Sequence, residues 1–263
     1  MRRCLLMIAL GGAVAMQAKE MQAQELTGTA RQRVLETARS RYYNLTGLGV
    51  KSFTCGVNFD LDTLSKGFLP AGDIADRALL QTAVFTLKVT SGGPTLKFQF
   101  PDGAQSQSED VVAGATLWIS ELVQGFFQTW PLKGFAGPIP HQEKQLLGVA
   151  QDGEGYRITV KGPAGPMVLH LDRNSMVTEI QSQNGTASQI DEHPIFTSAP
   201  EGMVLTGNDT QDTEPNGTTR ARYAIDIGRV DGFMIPQRVR LLVGEHVDVK
   251  FALSGCKVAT AKR

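Results

Sequence analysis

The sequence predicts a mainly β protein with helices (α+β), a curved antiparallel half-barrel meander whose concave face is covered or plugged by helices. Three observations carry this. Apolar and polar residues alternate strictly along SFTCGVNFDL, with Phe53, Cys55, Val57, Phe59 and Leu61 on one side and Thr54, Gly56, Asn58 and Asp60 on the other. Two longer stretches, after Thr29 and after Ser108, space their apolar residues at the helical period. From Lys144 onward that period disappears, and short alternating runs recur between turn residues.

Taken in order, Met1-Arg2-Arg3 is positive, Cys4 to Met16 is almost wholly apolar and small residues follow, which reads as an export signal over residues 1–23. Cleavage after Ala23 gives a mature start at Gln24, with Ala18 and Ala15 as competing positions. The apolar run is too short to span a bilayer. The mature chain, 24–263, reads as one domain. It opens on a helix capped by Thr29 and ended by Gly47, with Val34, Leu35, Ala38, Tyr42 and Leu45 on one stripe.

The SFTCGVNFDL strand follows, then a short helix over 73–82 and strands at 84–89 and 95–100 separated by Ser-Gly-Gly-Pro. Ser108 with acidic residues behind it starts a second long helix, whose Val111, Leu117, Trp118, Leu122, Phe126 and Trp130 leave few polar positions. Strands are then expected near 145–150, 155–161, 166–171, 176–183, 221–228, 233–243 and 246–254, and their short connections favour antiparallel neighbours. Asp231-Gly232 supplies the positive φ angles of a two-residue hairpin. Pro236, unable to donate to a ladder, belongs at an edge, bulge or bend. The interval from Gln183 to Thr219 is rich in Ser, Thr, Asn, Asp, Gly and Pro, and reads as a long insertion near 184–219, pinned by Pro194-Ile195-Phe196 and Met203-Val204-Leu205 and mobile from Asn208 to Thr219.

The 26 basic and 26 acidic side chains cancel, so no net field draws the chain to nucleic acid or an anionic membrane. His141, His170, His193 and His246 lie far apart with no metal-ligand spacing, and Asp191-Glu192-His193 reads as a solvated loop rather than a metal site. No nucleophile motif, P-loop or dinucleotide fingerprint is present, so no catalytic, metal or cofactor residue is assigned. The Asn-x-Thr triplets at Asn44, Asn184, Asn208 and Asn216 would be glycosylation acceptors in a eukaryotic secretory route, which nothing in the sequence establishes, and Asn followed by Gly or Asp is equally turn chemistry. Removal of the signal leaves two cysteines, Cys55 and Cys256, and an even pair in an oxidising compartment points to a disulfide. Cys256 is out of phase with Val247, Val249, Phe251 and Leu253, so the bridge requires a bulge at Gly255.

The export signal, the amphipathic helix, the SFTCGVNFDL strand, the interposed helices, the turn at LHLDRNSMVTEI and the late hairpin YAIDIGRVDGFMIPQRVRL together resemble the LolA-like superfamily of periplasmic lipoprotein and lipid carriers. The resemblance spans most of the mature chain and implies a half-barrel that holds acyl chains, or a sensor on the same scaffold. No gating residue of those carriers matches a position here. The expected ligand cavity has Phe53, Val57, Phe59, Phe98 and Phe100 as its wall and Trp118, Leu122, Phe126 and Trp130 as its lid. The function expected is therefore that of an exported periplasmic or cell-envelope lipid binder, not an enzyme, with a lipid or acyl-chain ligand, a possible envelope protein partner and no membrane span in the mature chain. An envelope scaffold with a solid core and a hydrolase without a recognisable motif are the competing classes.

Overall fold

Strand β2 (Val50–Phe59) sets the pattern of the whole sheet, because Phe53, Cys55 and Val57 are buried while Lys51 and Asn58 face out. In the computed structural model, residues 23–60, 74–101, 109–162, 165–184, 188–244 and 247–261 are described. The expected signal segment up to position 22, Leu61 and His246 lie outside them. The chain begins with β1 (Gln24–Glu25) and helix α1 (Gly28–Ser40), and β2 is followed by helix α2 (Ile74–Thr82), β3 (Val84–Thr90), β4 (Gly93–Gln99) and helix α3 (Glu109–Trp130). A π-helical turn, Pro131–Phe135, and a 3-10 turn, Glu143–Gln145, lead into β5 (Leu146–Asp152), β6 (Gly155–Lys161), β7 (Pro166–Leu171), β8 (Val177–Asn184) and β9 (Ser188–Ala199). The meander continues through β10 (Gly202–Glu214), β11 (Gly217–Val230), β12 (Phe233–Val243) and β13 (Val247–Thr260).

The described strands form one open 13-stranded antiparallel sheet, ordered β1-β5-β6-β7-β8-β9-β10-β11-β12-β13-β2-β3-β4. The last strand thus pairs with the early β2 inside the sheet, while β1 and β4 form its two edges. One face carries the apolar residues and both long helices. Helix α1 buries Val34, Leu35 and Ala38 against Val149, Ile158, Leu169 and Ile180 of β5–β8. Helix α3 buries Val123, Phe126, Phe127 and Trp130 against β2, β3 and β10–β13. No helix among the described residues is long and apolar enough to cross a membrane.

Helix α1 ends at Ser40, earlier than Gly47, yet Tyr42 and Leu45 of the expected stripe are still buried. The chain beyond the helix is held by the sheet instead of by its own helical bonds. Met203 N–H donates to the Arg41 carbonyl at 2.8 Å, and Tyr43 N–H donates to the Met203 carbonyl at 2.9 Å. The two tyrosine oxygens extend this anchor in opposite directions. Tyr42 Oη accepts the Val177 N–H at 2.6 Å and Tyr43 Oη accepts the Met234 N–H at 2.9 Å, so adjacent residues bind β8 and β12. Burial pushes the Tyr42 phenol up to about 12, against the opposing pull of the Val177 hydrogen bond.

The interval 184–219 is not a loop excursion. Its residues 188–199 and 202–214 are β9 and β10, two long strands paired with each other, with one bulge between Leu205 and Gly207, and with β8 and β11. Polar composition misleads here because both strands alternate, and a half-buried strand needs apolar residues at only every second position. Only Pro215 and Asn216 separate β10 from β11.

The bulge required by the cysteines is present. Gly56 pairs with Ser254 and Thr54 pairs with Lys257, so Gly255 and Cys256 together oppose Cys55. Gly255 has φ +57°, which a side chain disfavours, and the extra residue turns Cys256 inward to its disulfide with Cys55. Gly255→Ala is expected to cost about 1 kcal/mol through this φ angle alone, since an added Cβ would meet no atom within 4 Å. A urea midpoint unchanged from wild type would contradict it. The hairpin at Asp231-Gly232 has φ 52° and 86°, as its sequence predicts, and Gln237 is the extra residue of a second bulge beside Pro236.

Candidate functional site

The concave face between helix α3 and strands β2, β3 and β10–β13 holds most of the residues expected to form a cavity. Phe53, Val57, Phe126 and Trp130 are buried together, and Phe59, Trp118 and Leu122 are partly buried against them. Phe53 stands between three rings, 6.2 Å from Phe127, 6.0 Å from Trp130 and 6.3 Å from Phe135. The first two contacts are edge-to-face and the third is stacked, and such arrangements are attractive in their own right and add to the area buried. Around these four residues the expected wall and lid touch each other directly.

Two expected wall residues are placed otherwise. Phe98 is 48% exposed on β4, which is an edge strand of the sheet among the described residues. Phe100 lies just past the end of β4 and is only partly buried, with its ring 6.0 Å from Phe98. Both belong to the margin of the apolar face.

A pocket of about 300 Å³ lies among the described residues between the end of β2, the start of β3 and helix α2. Its lining includes Val57, Phe59 and Phe85 from the sheet with Leu80 and Ala83 from α2 and its exit, and Asn58, Asp60 and Gln81 at the mouth. Phe59 is the inner boundary, 5.2 Å from Phe85 and 5.9 Å from Phe251. From Phe251 the rings continue to Phe126 at 5.9 Å and from Phe126 to Tyr223 at 5.1 Å.

Tyr223 introduces a group of residues that sequence reasoning did not single out. Comparison with protein-family models, curated proteins and solved structures gives no match. The site therefore rests on its own chemistry. Lys133, in the π-helical turn, is buried and pairs with Glu192 of β9. Pro131 lacks the N–H that would continue α3 as an α-helix, and the widened turn that follows carries Lys133 over the sheet. Gly134 lies so close to the Trp130 indole that a Cβ there would sit 2.6 Å from Nε1.

On the sheet side, Asn208 donates through Nδ2 to Glu192 Oε2 at 2.8 Å and to Thr210 Oγ1 at 2.9 Å. Asn208 is 1% exposed, and its neighbour across the ladder is Tyr223. A bulge between Leu205 and Gly207 shifts β10 by one residue, which is what turns Asn208 and Thr210 to the concave side. Asn208 Oδ1, Tyr223 Oη and Trp130 Nε1 are buried without a hydrogen-bond partner. Burial, with the charge of Glu192 behind it, holds the Tyr223 phenol far above its ordinary value, so it stays a hydroxyl. Strand alternation divides Asp191-Glu192-His193: Glu192 faces the core, while Asp191 and His193 line a polar outer-face trough of about 430 Å³. No group of three metal-ligating side chains occurs among the described residues.

The outer face is polar and cross-linked by ion pairs between neighbouring strands. Arg222 grips Asp209 through Nε at 2.5 Å and Nη2 at 2.8 Å, Arg238 reaches Asp226 at 2.7 Å, and Arg240 reaches Asp248 at 2.7 Å. These side chains are largely exposed, and solvent screening makes each pair worth little.

Proposed function

We propose that the protein is an exported carrier or sensor that holds an acyl chain or similar apolar ligand on the concave face of the sheet, in the manner of the LolA-like carriers its element order resembles. The observation that supports this best is the pocket beside α2, which is lined by Val57, Phe59, Phe85 and Leu80 and leaves Phe59 partly exposed at the end of a packed aromatic face. Its volume of about 300 Å³ falls at the lower end of ordinary small-molecule sites. Burial of ligand methylenes, at about 0.8 kcal/mol each, supplies affinity without any polar motif. The Cys55–Cys256 bridge fits an oxidising compartment, and the polar outer face fits a sheet with one wet side.

Delipidated wild-type protein is expected to take up a fluorescent fatty acid. Ala83→Trp fills the pocket from the α2 side; displacing two methylenes costs about 1.6 kcal/mol, or about tenfold in affinity, with the thermal midpoint unchanged. Solvent extraction of protein from its own compartment, followed by mass spectrometry, identifies the native ligand. A wild-type protein that takes up no probe after delipidation defeats the carrier reading.

A second reading, an envelope scaffold with a solid core, is favoured by the close ring packing of Phe53, Phe127, Trp130 and Phe135. It predicts binding of a protein partner with no lipid in native mass spectra.

A further inference from the structure

Three polar atoms buried in an aromatic face require an explanation, because leaving such a group without a partner costs about 1–3 kcal/mol. Two of them belong to residues that are neighbours across β10 and β11, and their chemistry is complementary to one kind of group. Both Asn208 amide hydrogens have acceptors, one on Glu192 and one on Thr210, so its Oδ1 can only accept. Tyr223 Oη remains protonated and has a hydrogen to donate. A single group that donates once and accepts once would satisfy both.

We infer that Asn208 and Tyr223 receive the uncharged polar end of the apolar ligand, a hydroxyl or an equally neutral donor–acceptor group. This deepens the ligand reading above and rests on it. An anionic head is disfavoured, because Lys133, the cation beside this cluster, is already engaged by Glu192, and both Glu192 and Asn208 Oδ1 present negative charge. A cationic head is disfavoured by desolvation, with no carboxylate left unengaged to receive it. The rings of Tyr223, Phe126, Phe251 and Phe59 stand in contact with one another between this polar pair and the pocket beside α2, so the apolar part of the ligand has a continuous aromatic surface to lie against. The head group then fixes the direction in which the apolar part lies along the concave face. Trp130 Nε1 takes no part in this assignment.

The test compares 1-decanol, which donates and accepts, with decyl methyl ether, which only accepts, by calorimetric titration of the delipidated full-length protein. Wild type is expected to bind the alcohol about fivefold more tightly, the worth of one net hydrogen bond. Asn208→Leu should abolish that preference, because only the alcohol can donate to Asn208 Oδ1, and Tyr223→Phe should weaken both probes about fivefold with the preference and the thermal midpoint kept. Equal wild-type affinities for the two probes, a preference that survives in a folded Asn208→Leu, or Tyr223→Phe binding both probes as tightly as wild type would overturn the head-group site and leave the two atoms to ordered water only. If neither probe binds wild type but folding is intact, the ligand reading itself fails and takes this inference with it.

Discussion

Loss of the Cys55–Cys256 disulfide is expected to be the largest single-site loss of stability in the protein, roughly 5 kcal/mol in the chain-entropy model. The two cysteines are 201 residues apart, so the bridge closes a loop covering nearly the whole described chain. In the unfolded state this constraint removes a large share of the available conformations. In the folded state it joins strands that already pair, β2 and β13, and therefore fixes little that the ladder does not fix. The stabilisation is thus carried mainly by the unfolded ensemble. Urea denaturation of oxidised protein, of Cys55→Ser/Cys256→Ser and of reduced protein measures it, with the last two expected to agree. The midpoint should fall, and the denaturant slope should rise because a longer free chain exposes more surface. A double variant within 1 kcal/mol of the oxidised protein would show that the unfolded chain is already compact enough to make the constraint redundant.

The pairing of those cysteines was legible in the sequence because two constraints met at Gly255. Parity required a partner for Cys55, and the phase error of Cys256 required a bulge where the only residue free of a Cβ stood. The same logic read the Asp231-Gly232 hairpin and the alternation of β2. It failed over 188–214, where alternation was present but diluted. Ile190, Glu192, Pro194 and Phe196 share the concave side, and two of the four do not look like core. The buried polar cluster was illegible for a related reason. Asn208 turns inward only because a bulge at Thr206 changes the parity of β10, and Gly207 is the one local sign of it in Leu-Thr-Gly-Asn-Asp, with no cysteine out of phase to require it. Lys133 gave a weak local signal, a cation directly after Trp-Pro-Leu at the end of an apolar helix, but its partner is 59 residues away and depends on the same strand register. Phe98 and Phe100 were read as wall because alternation distinguishes the two faces of a strand and is silent on whether the strand lies mid-sheet or at an edge.

The ion pair between Lys133 and Glu192 is expected to show the second-largest effect, and its variants separate burial from attraction. The Lys133 side chain is 6% exposed and that of Glu192 is 18% exposed, so neither charge is well hydrated when left alone. Lys133→Met should cost about 3 kcal/mol, toward the lower end of the range for breaking a buried pair, because Glu192 keeps its Asn208 hydrogen bond and some contact with water. Glu192→Leu should cost more, about 4 kcal/mol, because it leaves the more deeply buried charge uncompensated and removes an acceptor from Asn208. The Lys133→Met/Glu192→Leu double variant should recover most of both losses, since neither charge then has to be desolvated. That non-additivity is the decisive quantity. A coupling near zero in urea denaturation would mean that the two side chains separate in solution and that the π-helical turn is held by Trp130 and Phe135 alone. A large coupling with a stable double variant would instead show that the ion pair fixes where this turn sits on β9 and β10 without adding net stability. Probe binding in the double variant then distinguishes a turn that has merely been repacked from one whose position organises the concave face around Asn208 and Tyr223.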